Sequence, residues 1–293
     1  MRVRGAPAAT VAALVMAAGL FGLRPARAAF TVQTVDEGHF TVEPDKPVFV
    51  VVMGNDGRSG SAGTRGDALH VIGITPGQGR ATILDIPRDT YVHVPGMGRT
   101  KINAAHVAGG PVLQGRVLAE LVGVPLSIVV DADFAGFMAM VDDLGGVDVD
   151  VPFPMNDRLS GAIFPAGPIH LDGGGALAFA RNRNLAGGDF TRTENQGRLL
   201  LAGLAKLRNE GANAASILHH VAVFARHGRF EGLSLGELYR LGRLAASLDP
   251  ANVRNVVMPG SVGRAGGASV GFVGPSAEGL FADFADDAIL QSH

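Results

Sequence analysis

The sequence predicts a single α/β domain, an α-β-α sandwich built on a central mixed β-sheet. Three observations predict it. Val48 to Met53 is an unbroken apolar run, the character of a strand covered on both faces. Stretches of strand and helix character then alternate along the chain, as a layered α/β fold requires. With 293 residues, 47% hydrophobic and 18% charged, the chain can build a sizeable core, and wholesale disorder is excluded. A formal net charge of −2 argues against a nucleic-acid partner held by bulk positive charge. The absence of cysteine excludes disulfides, thiolate catalysis and cysteine–zinc sites.

The N-terminus reads as an export signal. Arg2 and Arg4 precede a nearly continuous apolar stretch from Ala6 to Leu23, and Pro25-Ala26-Arg27-Ala28-Ala29 offers small residues at signal-peptidase spacing. Residues 1–28 are therefore expected to be a signal peptide cleaved after Ala28, with an uncleaved anchor as the alternative. The working part would lie outside the cytoplasmic membrane. Residues 29–47 are expected to be a flexible lead-in, residues 48–286 the folded domain, and residues 287–293 a tail.

After Met53 the chain passes through Asp56 into a glycine-rich loop ending at Gly63. Thr64-Arg65-Gly66-Asp67 leads into a second strand, Ala68 to Ile74. A turn over Thr75–Gly79 joins it as a hairpin to a third, Ala81 to Ile86, which delivers Pro87-Arg88-Asp89. Helices are expected from Lys101 through His106 and, after Pro111, to Val122. His106 reads as a histidine satisfied within the fold. Leu126–Val130 reads as a strand and Phe134–Leu144 as a helix closed by Gly145-Gly146. Val147–Val151 alternates strictly, and a helix follows over 176–181.

The stretch from Arg181 to Arg198 concentrates the chemistry. Arg181 and Arg183 stand one residue apart, and a glycine-containing loop then leads to a helix beginning near Asp189–Thr191. Arg192 and Gln196 share one face of that helix, while Leu199, Leu200, Leu204 and Leu207 recur at helical spacing. A helix N-terminus carries unpaired N–H groups and positive dipole, and guanidinium forks match phosphate oxygens in pairs. The group points to a ligand with more than one negative charge. Asp56 and Asp67 suit a hard cation such as Mg²⁺, which takes one or two carboxylates together with substrate phosphates; equally, they can pair with neighbouring arginines. Lys101 and Asn103 can reach a phosphate or sugar, or cap a solvated helix start. Phe134, Phe137, Met138 and Leu200 are candidate linings for an apolar cleft, or ordinary core.

The series Asp56, TRGD (64–67), DIPRDTYV (85–92), KINAAH (101–106), DLGGVDVDVP (143–152), LDGGGALAFARNR (171–183) and DFTRTENQ (189–196) resembles the LytR-CpsA-Psr family in order and spacing. The likeness covers roughly 48–285. It includes a C-terminal helix near Leu235–Leu248, strands at Val253–Met258 and Ser269–Val273, and a last helix from Ser276. The resemblance implies an extracytoplasmic phosphotransferase. Such an enzyme moves a glycan, a capsule- or teichoic-acid-like glycopolymer, from an undecaprenyl-pyrophosphate carrier to peptidoglycan or another envelope acceptor through a phosphodiester. It implies Mg²⁺ held by Asp56 and Asp67. It places Arg65, Arg88, Lys101, Arg181, Arg183, Arg192 and Gln196 around the pyrophosphate, with Arg65, Arg88, Asp189 and Arg192 as the catalytic set. Asp189 would orient an arginine or accept the proton of the attacking hydroxyl; an acid among so many guanidiniums makes a poor base, so the first role is favoured. The lipid substrate would bring the protein to the membrane surface, and no nucleic acid is involved. A polyprenyl-pyrophosphate hydrolase and a non-enzymatic envelope binding or regulatory protein are the alternatives. The chain departs from the family in two respects: Arg65-Gly66-Asp67 stands where Arg-Ser-Asp is usual, and a cleavable signal stands where an anchor is common.

Overall fold

The computed structural model of the protein describes residues 30–35, 41–57, 64–184 and 186–291. The expected signal peptide, its cleavage position and the glycine-rich loop before Thr64 lie outside the described residues.

The centre is a seven-stranded mixed sheet. In chain order its strands are β1 (Phe30–Thr34), β2 (Val48–Asn55), β3 (Gly66–Thr75), β4 (Arg80–Asp85), β7 (Ile128–Asp133), β12 (Gly228–Glu231) and β13 (Val253–Val257). They lie side by side in the order β12-β1-β7-β2-β3-β4-β13. β2 and β7 run parallel, whereas β3 is antiparallel to both β2 and β4. The pleat sends alternate residues of β2 to opposite faces. Phe49, Val51 and Met53 join one core, against the kinked segment α1 (Ala104–Val122) and the final helix α7 (Ala277–Asp287). Val48 and Val50 join a second core, below α4 (Asp189–Asn209), α5 (Ala214–His227) and α6 (Leu235–Ser247). Two covered faces explain the unbroken apolar run, and the sandwich is as the sequence predicts.

Two shorter helices, α2 (Phe134–Asp143) and α3 (Gly173–Arg181), pack with the ribbon of β8 (Val147–Val151) and β11 (Gly167–Leu171) around a third core. Asp133 caps α2 by accepting the amide of Gly136 at 2.7 Å, so the strand entering it extends past the expected Val130. Three two-stranded ribbons sit at the edges: β5 (Tyr91–Val94) with β6 (Gly98–Lys101), β9 (Met155–Asp157) with β10 (Ala162–Phe164), and β14 (Gly260–Ala265) with β15 (Ala268–Val273). The helices expected on either side of Pro111 form one segment whose backbone leaves helical geometry at Gly109 and Gly110, where φ is −155° and +71°. Among the described residues no helix is long and apolar enough to cross a membrane.

Two expected boundaries are corrected. Residues 30–34 are not a flexible lead-in, because β1 pairs antiparallel with β7 and parallel with β12. Phe30 and Val32 are buried there, and Phe30 meets Phe224 and Phe230 edge-on at 5.9 Å. Nor do residues 287–290 stand apart from the domain as a tail. Ala288, Ile289 and Leu290 are buried, and Arg254 donates to the carbonyl of Leu290 at 3.0 Å.

One polar pair interrupts the second core. His70 on β3 and Asp85 on β4 are cross-strand neighbours, and the His70 Nδ1–H donates to Asp85 Oδ1 at 2.6 Å. Burial pushes the Asp85 carboxyl up from 3.8 to about 6; the charge and hydrogen bond of His70 hold it back, and the negative charge of Glu194 adds to the rise.

Two outcomes follow. Phe30→Ala is expected to cost about 3–5 kcal/mol in denaturant unfolding, the usual range for a buried phenylalanine; an unchanged midpoint would return β1 to the status of a lead-in. The raised Asp85 pKa favours the protonated folded form, so this group's contribution is fully present below about 3.8 and lost as pH rises through about 6. Between those limits the wild type is expected to lose stability relative to Asp85→Asn, by on the order of 2–3 kcal/mol, in melts run across that range.

Candidate functional site

β2 and β4 end, and the antiparallel β3 begins, at the same edge of the sheet, so three distant stretches of chain deliver polar residues to one place. β2 runs out to Asp56, β3 enters through Arg65 and Asp67, and the turn after β4 carries Arg88. The C-terminus of α3 adds Arg181 with Arg183 just beyond it, and the first turns of α4 add Asp189, Arg192 and Gln196.

Ion pairs lock this array. Arg88 Nη1 lies 2.6 Å from Asp67 Oδ2, and Asn103 Nδ2 donates to the other oxygen of Asp67 at 3.3 Å. Arg192 Nη2 lies 2.6 Å from Asp189 Oδ1, and Arg88 Nε is 4.0 Å from the same oxygen. Asp67 therefore pairs with Arg88 rather than with Arg65 beside it in sequence, and Asp189 pairs with Arg192. Burial pushes the Arg192 guanidinium down to about 10; Asp189 works against that, and the positive charges of Arg88 and Arg183 add to it. The array is short of negative charge. Among the described residues the donors Arg88 Nε and Arg192 Nε, and the acceptors Gln196 Oε1 and Asp189 Oδ2, are buried without a hydrogen-bond partner.

Neighbours hold these groups in place. Gln196 Nε2 donates to the carbonyl of Ala180 at 3.1 Å, fixing the backbone from which Arg181 projects. The Arg181 guanidinium stacks over Phe134, 5.2 Å from the ring centroid. His106 joins the carbonyl of Thr64 at 2.9 Å to Asp131 at 3.2 Å. Burial opposes its charge, but Asp131 outweighs it and the His106 pKa rises above 6.5. His106 is a satisfied histidine, as expected, and it anchors the entry to β3. The glycine of Arg65-Gly66-Asp67 has a steric cause: a Cβ there would overlap the amide of Gln114, which donates to the Gly66 carbonyl at 3.3 Å.

The charged array forms one end of a cavity of about 1860 Å³. Asp56, Arg65, Asp67, Arg88, Arg181, Arg183, Arg192 and Gln196 line that end. The remainder is mostly apolar, with Val50, Ile72, Ile74 and Ile83 from the sheet facing Leu200 and Leu204 of α4. Three of the four expected cleft residues, Phe134, Phe137 and Leu200, line the cavity. Met138 does not: its backbone packs on Gly173, and Met140 takes the place on the wall. Lys101 is outside as well, its ammonium 3.0 Å from Asp89, so it reaches the array only through the Asp89–Arg88 contact of 3.9 Å. His70 and Asp157 belong to the surroundings of the site and were not foreseen in that role, whereas Asn103, named above for reach to a phosphate or sugar, lies beside Asp67. Asp157 holds the amide of Arg183 at 3.2 Å. For His70 the signal lay in the sequence, a histidine among Leu69, Val71 and Ile72 opposite an aspartate across a predictable hairpin.

The chain is similar to known proteins in sequence and in fold. Over 203 residues the chain is 34% identical to the polyisoprenyl-teichoic acid–peptidoglycan teichoic acid transferase TagU of Bacillus mycoides strain KBAB4, covering 63% of this chain and 64% of the relative. The chain thus spans somewhat less than two thirds of that relative's length. The crystal structure of Bacillus subtilis TagV superposes with a TM-score of 0.74 at 25% identity, covering 86% of this chain and 100% of TagV. TagT (YwtF) with bound octaprenyl pyrophosphate lipid gives 0.65 at 24% identity, covering 87% of this chain and 96% of TagT, and shares the fold. A profile described as the LytR_cpsA_psr family matches residues 25–276, most of the chain. The protein belongs to the LytR-CpsA-Psr family.

Proposed function

We propose that the protein transfers a glycan from a polyprenyl-pyrophosphate carrier to a cell-envelope acceptor of the peptidoglycan type, through a phosphodiester bond. One observation carries the reading: a single cavity joins an arginine-rich end to a long apolar chamber. Only an amphiphile with a multiply charged head and an extended apolar tail uses both ends. The names of the relatives, teichoic acid transferases acting between a polyisoprenyl carrier and peptidoglycan, support the same assignment, as does the octaprenyl pyrophosphate lipid held by TagT. The signal-like N-terminus fits work outside the cytoplasmic membrane, where cleavage of the pyrophosphate supplies the driving force.

The chain's own groups act chiefly by charge. In phosphoryl transfer the transition state spreads negative charge over the phosphorus oxygens, and catalysis rests on positioning and neutralisation. Arg88 and Arg192, held by Asp67 and Asp189, present guanidinium forks to the pyrophosphate, with Arg65, Arg181 and Arg183 completing the cradle. Asp189 fixes Arg192 and is no base, because its charge is committed to two guanidiniums. The apolar chamber draws in the prenyl tail and leaves the glycan outside, where the acceptor hydroxyl approaches. Two carboxylates at the charged end, Asp56 and Asp67, meet the need of Mg²⁺, which takes one or two carboxylates and completes its shell with water and substrate phosphates. When bound there, Mg²⁺ would add positive charge against the phosphate oxygens.

The test uses the purified protein with a short-chain polyprenyl-pyrophosphate glycan, peptidoglycan fragments and Mg²⁺, with products read by mass spectrometry. A phosphodiester conjugate is expected. Glycan phosphate released without conjugate would instead make the protein a hydrolase. Asp67→Ala is expected to cut turnover about 10²- to 10³-fold while leaving the melting transition in place, and chelation of divalent cations is expected to stop the wild type reversibly. Normal turnover by folded Asp67→Ala would remove both the metal assignment and the clamp on Arg88.

A further inference from the structure

The cavity-facing residues of β3 form a gradient. Asp67 stands at the charged end and Ile72 and Ile74 line the apolar chamber, with Ala68 and His70 between them. His70 is therefore placed where the head of a bound amphiphile meets its tail. Its ring is 3% exposed and its Nδ1–H is committed to Asp85, itself fully buried. That bond is the ring's only hydrogen bond among the described residues; it occupies Nδ1 and leaves Nε2 for the cavity, where the imidazolium form of the ring carries a second proton. Val52 is the partner of His70 on β2, and Ile83 lies beside Asp85 on β4 in the apolar wall. A buried ionisable pair in such a wall costs several kcal/mol per ion in desolvation, and apolar residues of similar volume would serve the fold as well or better. An imidazole held by a carboxylate and turned to a cavity is the arrangement of an acid–base group.

We propose that His70, oriented by Asp85, donates its Nε2 proton to the prenyl-side phosphate of the carrier as that phosphate leaves. The inference rests on the transferase reading above. The acceptor hydroxyl oxygen bonds to the glycan-side phosphorus, and the bond from that phosphorus to the bridging oxygen breaks. The electron pair stays on the bridging oxygen, which becomes part of polyprenyl monophosphate and takes the His70 proton. The acceptor's hydroxyl proton passes to water at the open mouth, and His70 regains a proton from water after release. The geometry assigns the leaving side to His70 because the prenyl tail lies deep in the chamber and the glycan outside. The ionisable groups around the pair are Glu194 of α4, whose charge reaches Asp85, and Asp67, Arg88 and Arg192 at the charged end.

The experiment compares pH–rate profiles and carrier affinity for the wild type, His70→Asn and Asp85→Asn, using polyprenyl-pyrophosphate glycan and calorimetric binding. His70→Asn is expected to lose about 10²- to 10⁴-fold in turnover, the usual contribution of a positioned acid, with affinity for the carrier changed less than about tenfold. The alkaline fall of the wild-type profile should vanish in this variant, and Asp85→Asn, which leaves the ring without the partner that orients it, should also lose turnover. Should His70→Asn fail to fold, His70→Leu/Asp85→Asn removes both ionisable groups together and carries the same expectation. An unchanged rate and profile in a folded variant overturns the proposal, and so does an equal loss of affinity and turnover, which would make His70 part of the binding wall only. If the wild type forms no product, the transferase reading fails by itself. The ring ¹⁵N resonances of His70 then decide the contact: a shift on saturation with farnesyl phosphate but not with farnesol supports it, and no shift overturns it.

Discussion

The 2.6 Å ion pair between Arg88 and Asp67 is the contact on which the site depends. Five arginines converge on one edge of the sheet, and without interleaved carboxylates their repulsion would open the loops that carry them. Asp67 belongs to the start of β3 and Arg88 to the turn after β4, so the pair exists only because those strands are antiparallel neighbours in the expected hairpin. Asp189 performs the same service for Arg192 and comes close to Arg88, which links the turn after β4 to the N-terminus of α4. The carboxylates offset only part of the charge. Arg192 still has its pKa depressed and, among the described residues, its Nε unpartnered, so an anion placed there would be favoured. The uncompensated charge costs stability, and a polyanionic ligand relieves it.

The two faces of the sheet divide the labour. Phe49, Val51, Met53, Leu69 and Val71 pack against α1 and α7 in a closed core, with Phe49 and Phe284 in edge contact at 5.4 Å. On the opposite face α4, α5 and α6 stand over the sheet but leave a chamber between them. Apolar residues that line a cavity give up the dispersion contacts a filled core would supply. The closed face therefore bears most of the stability, and the open face can stay unfilled until an apolar chain enters.

Much of this was legible in the sequence, and what was missed has common causes. The continuous run of β2, the strict alternation of β8 and the periodic leucines of α4 are local signals, and each element formed where they lie. The cluster of Asp56, Arg65, Asp67, Arg88, Arg181, Arg183, Arg192 and Gln196 was legible because each residue sits at the end of an element whose type could be read. β1 was not: its five residues bury only Phe30 and Val32, and its partners β7 and β12 are far along the chain, so nothing local marks it as a strand. Met138 was misplaced by a small rotation, since on α2 the residues facing the cavity are Phe134, Phe137, Met140 and Val141. Lys101 was misplaced by competition, because Asp89 satisfies its ammonium before the pocket does. Gly66, noted as a departure from the usual serine, leaves room for the Gln114 amide against its backbone.

β3 shows how one strand can specify a substrate of mixed character. The cavity-facing positions run from the carboxylate of Asp67, past Ala68, to the imidazole of His70 and the branched Ile72 and Ile74, a profile that runs in the same sense as a pyrophosphate joined to a prenyl chain. A carrier entering tail-first loses little in the apolar stretch and gains only when its phosphates reach the arginines, so depth of insertion is set by chemistry along the strand rather than by a stop at the chamber's end. The leaving bond is then held beside His70 for any tail the chamber admits. Tail length can vary without moving the reacting atoms, whereas a shift of the hairpin register by one residue would turn Asp67, His70 and Ile72 to the closed core. The register fixed by the tight turn between β3 and β4 is thus a determinant of the chemistry as well as of the fold.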